Sequence, residues 1–374
     1  MHERSDIVEK TRDNSADPFL FRPESPRDAN AIAELTARAF AADRTWGDRR
    51  CIMESYIPSL VRTGSDFGRA LSLVAEAKDG PLIGHALWYP YRTRLRGVEL
   101  DAWCLAPISV EPERWGAGVG SALMRSSIAA LEERGASFAF LLGHEGYYPR
   151  FGFKTRMFGR TGIVPRPATD RAAAASPPAL RAPRPSDVPA LRLLFDECFE
   201  GVDLALEPEP GFLPWMSWAN GVRSATLERG GKAVAYARYR PRRASAEAPA
   251  GEDRASAFLL FLAADATAAG DLLAALDAAP EADAAMKAGS KGEGILIPLH
   301  PRSRTAERLF PEGFDPVLEI YDAAMAMPLR GGSEEQRKAA EEYCRLVALA
   351  PESGGIYPGL PLFPSIFDMD DMNS

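Results

Sequence analysis

From Phe19 onward the apolar positions change period several times, and each change predicts an element. "FLFRP" (19–23) is a short apolar run closed by proline and reads as a strand. In "SPRDANAIAELTARAF" (25–40), Ile32, Leu35, Ala39 and Phe40 fall on one face at helical spacing. Ser25 is a natural N-cap there, Pro26 suits the first helical position and Asp28 complements the dipole. "LSLVAEA" (71–77) and "LIGHALWYPY" (82–91) read as two strands joined through "KDGP", where Asp79-Gly80 is a hairpin turn signal. "VELDAWCLAPISV" (98–110) is a third long strand. After a glycine-rich loop, Leu123, Ile128 and Leu131 mark a helix that Gly135 closes, and "SFAFLLG" (137–143) is a short buried strand before "YYPRFGF".

The same order of elements then returns. From Ile163 to about Pro185 the composition turns to Pro, Ala and Arg, as in a linker. A shift of 159 residues lays "LRAPRPSDVPALRLLFDECF" (180–199) on "FRPESPRDANAIAELTARAF" (21–40) without a gap, with identities at the Arg, the Pro, the Asp, an Ala and the final Phe. "ATLERGGKAVAYARY" repeats strand–turn–strand; "SAFLLFLAAD", "ATAAGDLLAALDAA", "GILIPLHP" and "SRTAERLFPEGF" complete the series. The pattern predicts a duplicated mixed α/β unit: a mobile arm over 1–17, a first domain over 18–164, a linker over 165–179, a second domain over 180–330, and a helix with a tail over 331–374. The tail carries Ile356, Tyr357, Leu360, Leu362, Phe363, Ile366 and Phe367, which predicts that it packs on one of the domains.

Composition narrows the function. A chain of 374 residues favours at least two domains, and 46% hydrophobic with 26% charged residues is ordinary for a globular protein. A net charge of −8 argues against a nucleic-acid partner. Cys51, Cys104, Cys198 and Cys344 show no CxxC spacing and the four histidines are scattered, so no metal site is predicted. The polar start is no signal peptide and no apolar run reaches membrane-spanning length, so the expectation is a cytoplasmic protein with no membrane partner.

The informative segment is "ISVEPERWGAGVGSAL" (108–123). Strand, small-residue loop, then helix makes an anion site, because N–H groups of the first helical turn lack partners and glycine lets backbone approach a phosphate. The spacing is G-x-G-x-G, unlike the dinucleotide pattern G-x-G-x-x-G, and no GK[ST] follows. With "SLVAEAKDGPLIGHALWYP" and "GYYPRFGF" around it, the segment resembles the GNAT N-acetyltransferase superfamily over roughly Phe19 to Gly159. The resemblance implies two tandem acetyltransferase-type domains, each a central mixed twisted sheet flanked by helices, with acetyl-CoA as cosubstrate and no metal. It maps the pyrophosphate loop onto Trp115, Gly116, Ala117, Gly118, Val119, Gly120 and Ser121, and the pantetheine-pairing strand onto Ile108, Ser109 and Val110. The loop departs from the family pattern at Trp115, where Gln or Arg is usual, and at Ala117, often basic, which shifts the work to backbone N–H groups with help from Arg114 or Arg125.

Acetyl transfer to an amine needs a base, an oxygen stabiliser and an acid for the leaving thiolate. The resemblance puts the acid at Tyr148, four residues before Gly152, against the alternative of aromatic packing beside Phe151 and Phe153. A strand Glu used by some family members corresponds to Cys104 here, and Asp101 faces the other way. His144 is either the base or a cap of the next turn. The oxygen stabiliser is expected among the N–H groups near Ser109 and Val110. The second copy keeps Gly313-Phe314 but no glycine loop and no tyrosine at the acid position, so it supplies structure, a wall of the cleft, or the surface of a homo-oligomer. Two functions follow from the sequence: an N-acetyltransferase acting by direct attack on a small-molecule amine or protein amino group, with a leaning towards cationic small molecules; or a non-catalytic acyl-CoA-binding or regulatory protein.

Overall fold

The computed structural model describes residues 19–43, 57–59, 62, 67–78, 80–166, 178–208, 210–216, 223–239, 258–278 and 295–353. The predicted arm, Asp79 of the hairpin turn, Cys51, most of the linker and the apolar tail lie outside the described residues.

The first half builds β1 (Phe19–Pro23), α1 (Ala29–Ala42), β2 (Leu71–Ala77), β3 (Leu82–Leu95), β4 (Val98–Val110), α2 (Val119–Glu133), β5 (Phe138–Leu142) and β6 (Gly159–Pro165). β2 and β4 coincide with the predicted runs, whereas β3 continues past Tyr91 to Leu95. Pro26–Asp28 form a single 3-10 turn ahead of α1, which Asp28 ties down by accepting from the Ser25 N–H at 2.6 Å. Arg22 clamps the same carboxylate with 2.7 and 2.9 Å bonds, and that guanidinium holds Asp28 well below the usual carboxylate range.

The second half adds β7 (Leu180–Arg181), α3 (Val188–Cys198), β8 (Leu204–Leu206), β9 (Arg223–Arg229), β10 (Lys232–Tyr239), β11 (Phe258–Ala263), α4 (Ala266–Ala278), α5 (Arg304–Leu309), β12 (Phe314–Ile320), β13 (Ala324–Pro328) and α6 (Glu334–Ser353). The helix start is rebuilt at the same shift: Arg181 holds Asp187 at 2.7 and 2.8 Å, and Asp187 accepts from the Arg184 N–H at 2.7 Å. "GILIPLHP" does not form the expected strand. Ile297 alone bridges to Ile163, because Pro298 and Pro301 carry no N–H to continue a ladder.

Strand order shows how the halves are joined. The large sheet runs β1-β2-β3-β4-β5-β13, with β8 on the far end of β3, and a four-stranded sheet runs β11-β10-β9-β7. All neighbours are antiparallel except β4 and β5. β13 takes the place beside β5, pairing Ala324 with Leu142 through Pro328 with Phe138. β6 instead leaves to pair with β12, Gly159 opposite Ile320 and Pro165 opposite Phe314. The expected boundary between 164 and 180 therefore does not separate two closed sheets.

Alternation along the central strands sends side chains to two cores. Trp88, Ala86 and Leu105 pack with Leu123, Met124 and Leu131 of α2. Leu87, Tyr89 and Phe140 pack on the opposite face with Tyr343, Cys344 and Val347 of α6. Ser333 caps α6, accepting from the Gln336 N–H at 3.2 Å while Gln336 Oε1 accepts from the Ser333 N–H at 3.0 Å.

His85 lies fully buried in β3, 2.9 Å from Ser72 Oγ, and burial pushes its pKa down to about 3. The folded protein therefore keeps this imidazole neutral, while the unfolded chain takes up a proton below about pH 6.5. Stability from this group is complete above that pH and is lost as pH falls towards 3. The expected loss between pH 7 and 4.5 is about 2–3 kcal/mol. Urea unfolding at both pH values reads it, and His85→Gln should show a shallower pH dependence.

Candidate active site

The cleft exists because two parallel strands part. β4 and β5 pair only over Ala102–Cys104 and Phe138–Phe140. Beyond that point β4 stays on β3, with a register shift opposite Ala106 and Pro107, and runs on to Val110. A backbone edge opened inside a fold offers N–H and C=O groups to an extended, amide-bearing ligand. The resulting cleft has a volume of about 510 Å³.

One end is the glycine loop. Gly116 and Gly118 have φ of +82° and +88°, a region that side-chain-bearing residues adopt only with strain, and Gly118 is the N-cap of α2. The first helical bond is Ala122 N–H to Gly118 C=O at 2.9 Å, so the N–H groups of Val119, Gly120 and Ser121 precede the intrahelical ladder. Gly120 is required for a different reason: a Cβ there would lie 2.7 Å from Tyr147 Oη. That phenol hydrogen-bonds Ser121, and burial pushes its pKa up. Arg150 stacks on the Tyr147 ring at 4.1 Å and donates from Nε to the Tyr147 carbonyl at 2.9 Å. Arg114 and Arg150 are the cations lining this end, while Arg125 stands over the Phe151 ring at 5.8 Å. Trp115 is half exposed, its indole N–H donating to the Val110 carbonyl at 2.8 Å.

Tyr148 lines the middle of the cleft and is 8% exposed. Its ring meets Tyr147 edge-on at 5.0 Å and Phe153 at 6.1 Å, so packing fixes the ring while one edge reaches the cleft. At the other end His144, in the turn after β5, meets Asp43 at the C-terminus of α1, with Nε2 and Oδ2 2.8 Å apart. The Gly143 N–H donates to the Ala323 carbonyl at 3.0 Å, which fixes the start of that turn from the second half.

Ile108, Val110, Trp115, Gly116, Gly118, Val119, Gly120, Ser121, His144 and Tyr148 of the sequence-derived set thus line one cleft. Two do not. Ser109 is buried with its hydroxyl donating to Thr36 Oγ1 at 3.1 Å, and the Ala117 N–H is taken by the Arg114 carbonyl at 3.2 Å. Cys104 is buried in the core, and Asp101 pairs with Arg69 away from the cleft. Sequence reasoning missed Asp43, Tyr147 as a partner of the loop, and Arg150. An acid at a helix C-terminus, where the dipole disfavours it, is the signal that Asp43 offered.

The matching junction in the second half is filled from within. Asp265 Oδ1 accepts from the Ala268 N–H at 2.6 Å, so a carboxylate occupies the start of α4, with Arg229 3.7 Å from it. Among the described residues no group of three or more His, Cys, Asp or Glu could hold a metal ion, and no helix is long and apolar enough to cross a membrane.

The family described as acetyltransferase (GNAT) domain matches residues 21–156. An uncharacterised N-acetyltransferase of Escherichia coli K12, YjhQ, is 34% identical over 139 residues, spanning 36% of this chain and 70% of that protein. A GNAT family acetyltransferase from Brucella melitensis, solved in complex with acetyl-CoA, is 38% identical, with 36% of this chain and 82% of that one covered at a TM-score of 0.31. A probable N-acyltransferase of unknown function from Enterococcus faecalis covers 83% of this chain and 72% of its own at 15% identity and a TM-score of 0.55, a likeness of fold that runs through both halves. With a relative of this identity matched over most of its length, and a glycine loop opening on a parted pair of strands, the chain belongs to the GNAT acetyltransferase family.

Proposed function

We propose that the chain transfers an acetyl group from acetyl-CoA to a primary amine by direct attack within a ternary complex. The observation that carries this reading is the single cleft that joins the free first turn of α2 to the phenol edge of Tyr148. The N–H groups of Gly118 to Ser121, with Arg114 and Arg150, suit the pyrophosphate, and the open edge of β4 from Ile108 to Val110 suits the pantetheine arm. The amine nitrogen attacks the thioester carbonyl, a β4 N–H near Val110 steadies the oxygen, and Tyr148 gives a proton to the departing thiolate. His144 takes the proton that the amine loses. The family assignment and the absence of a cysteine among the cleft's described lining residues support direct attack. The free thiols of Cys104, Cys198 and Cys344 fit a reducing, cytoplasmic setting.

The second half, on this reading, is a copy of the first that no longer takes the cofactor. The repeated Arg–Asp clamp supports duplication, and the Asp265 carboxylate at the start of α4 opposes a phosphate there.

A binding protein without catalysis is the second reading, favoured by Trp115, whose indole occupies the Val110 carbonyl inside the cleft. Tyr148→Phe separates the two. The enzyme reading expects acetyl transfer to fall about 100-fold with acetyl-CoA affinity unchanged. A wild type that binds acetyl-CoA and acetylates none of a panel of polyamines, aromatic amines and lysine peptides would establish the binder.

A further inference from the structure

The end of the cleft away from the glycine loop holds a pair of groups whose placement costs the fold something. Asp43 sits at the C-terminus of the 14-residue α1, where helix carbonyls already concentrate negative charge and a carboxylate is disfavoured. It nevertheless meets His144 at 2.8 Å, across a sequence separation of 101 residues, and both side chains line the cleft. An ionised carboxylate can only accept, so the Nε2 atom of His144 is the donor. That contact selects the Nε2–H tautomer of the neutral ring and puts its basic lone pair on Nδ1.

We infer that Asp43 is a positioning residue for the acceptor amine's deprotonation: it orients His144 as the base and stabilises the imidazolium that forms. The inference rests on the acetyltransferase reading and deepens it on the acceptor side. The proton balance is closed by the substrates. The alkylammonium N–H bond breaks and its proton moves to His144; the neutral amine forms the new C–N bond as the C–S bond breaks. The departing sulfur takes the Tyr148 proton. The second proton of the nitrogen and that of the imidazolium return to solvent and to the Tyr148 phenolate. Among the described residues, the charged or titratable groups that line the cleft with His144 are Asp43, Arg114, Tyr147, Tyr148 and Arg150, with Glu145 next to it in the chain. Of these, Asp43 hydrogen-bonds the imidazole.

The same carboxylate gives the acceptor a chemical class. Cations gather at the glycine loop, whereas this end presents an anion, so an alkylamine that arrives protonated is drawn to the side where it must be deprotonated. An amine that is already neutral near pH 7 needs neither service.

The test compares spermidine, whose amino groups are protonated at pH 7, with hydroxylamine, which is neutral there, as acceptors for wild type, Asp43→Asn, Asp43→Glu and His144→Gln. Acetyl-CoA affinity is followed by calorimetry alongside. Asp43→Asn should lower kcat/KM for spermidine about 10- to 100-fold and leave hydroxylamine within about twofold. His144→Gln should lower the spermidine rate at least as far as Asp43→Asn does, Asp43→Glu should restore part of the spermidine rate, and acetyl-CoA affinity should not change. The spermidine loss should shrink as pH rises and free amine accumulates. Equal losses on both acceptors, or none on either, would overturn the role of Asp43 while leaving the acetyltransferase reading intact. Wild type that binds acetyl-CoA but acetylates neither these two acceptors nor the wider amine panel would overturn both.

Discussion

Gly118→Asp is expected to weaken acetyl-CoA binding at least about 1000-fold, since it removes several charge-assisted backbone contacts and sets a carboxylate against a diphosphate. The residue sits at the N-cap of α2 with φ +88°, and nothing lies within 4 Å of where its Cβ would be, so the new side chain enters the cleft rather than the core. The backbone strain of a side chain there costs about 1–2 kcal/mol, which a folded chain of this size tolerates. Calorimetric titration should give one site per chain in wild type and none in the variant, with the far-ultraviolet spectrum preserved. Undiminished binding would remove the glycine loop from the cofactor site. Two sites in wild type would mean that the start of α4 binds as well, against the carboxylate that Asp265 places there.

The second large effect is on stability. Ala326→Pro should cost at least about 3 kcal/mol. Ala326 is fully buried in β13, opposite Phe140 of β5, and its N–H donates to the Lys154 carbonyl at 3.1 Å while its carbonyl accepts from the Lys154 N–H at 2.9 Å. Proline deletes the donor to Lys154 and breaks that bridge on a strand whose other edge is paired along β5. The turn carrying His144 is anchored next door at Ala323, so acetyl-CoA-dependent activity should fall with the denaturation midpoint. A variant with an unchanged urea midpoint would show that β13 is dispensable to the first-half sheet.

Much of this was legible in the sequence where local rules decide. β2 and β4 were readable because buried apolar runs end at turn residues, and the loop because three glycines at that spacing suit neither strand nor helix. The clamp of Asp187 by Arg181 was foreshadowed by the alignment of residues 180–199 on 21–40. What was not legible is which strand lies beside which. Nothing local in residues 159–165 or 324–328 tells β6 to cross to β12 while β13 takes the place beside β5. Strand partners are chosen by tertiary packing, not by period. Asp43 was missed for a related reason: its partner is distant in sequence, and helix statistics alone mark an acid there as a small misfit.

The crossing of β6 and β13 also sets a timetable for synthesis. As the chain leaves the ribosome, β5 is complete long before its neighbour, which arrives more than 180 residues later. At about 5–20 residues per second that interval lasts on the order of ten seconds or more, during which the sheet that carries the cleft has an unfilled edge. The first half thus emerges as a template awaiting a strand. Another copy's strand from the same polysome is a competing occupant of that slot, and the nascent chain would gain from a holding chaperone until residue 328 is free.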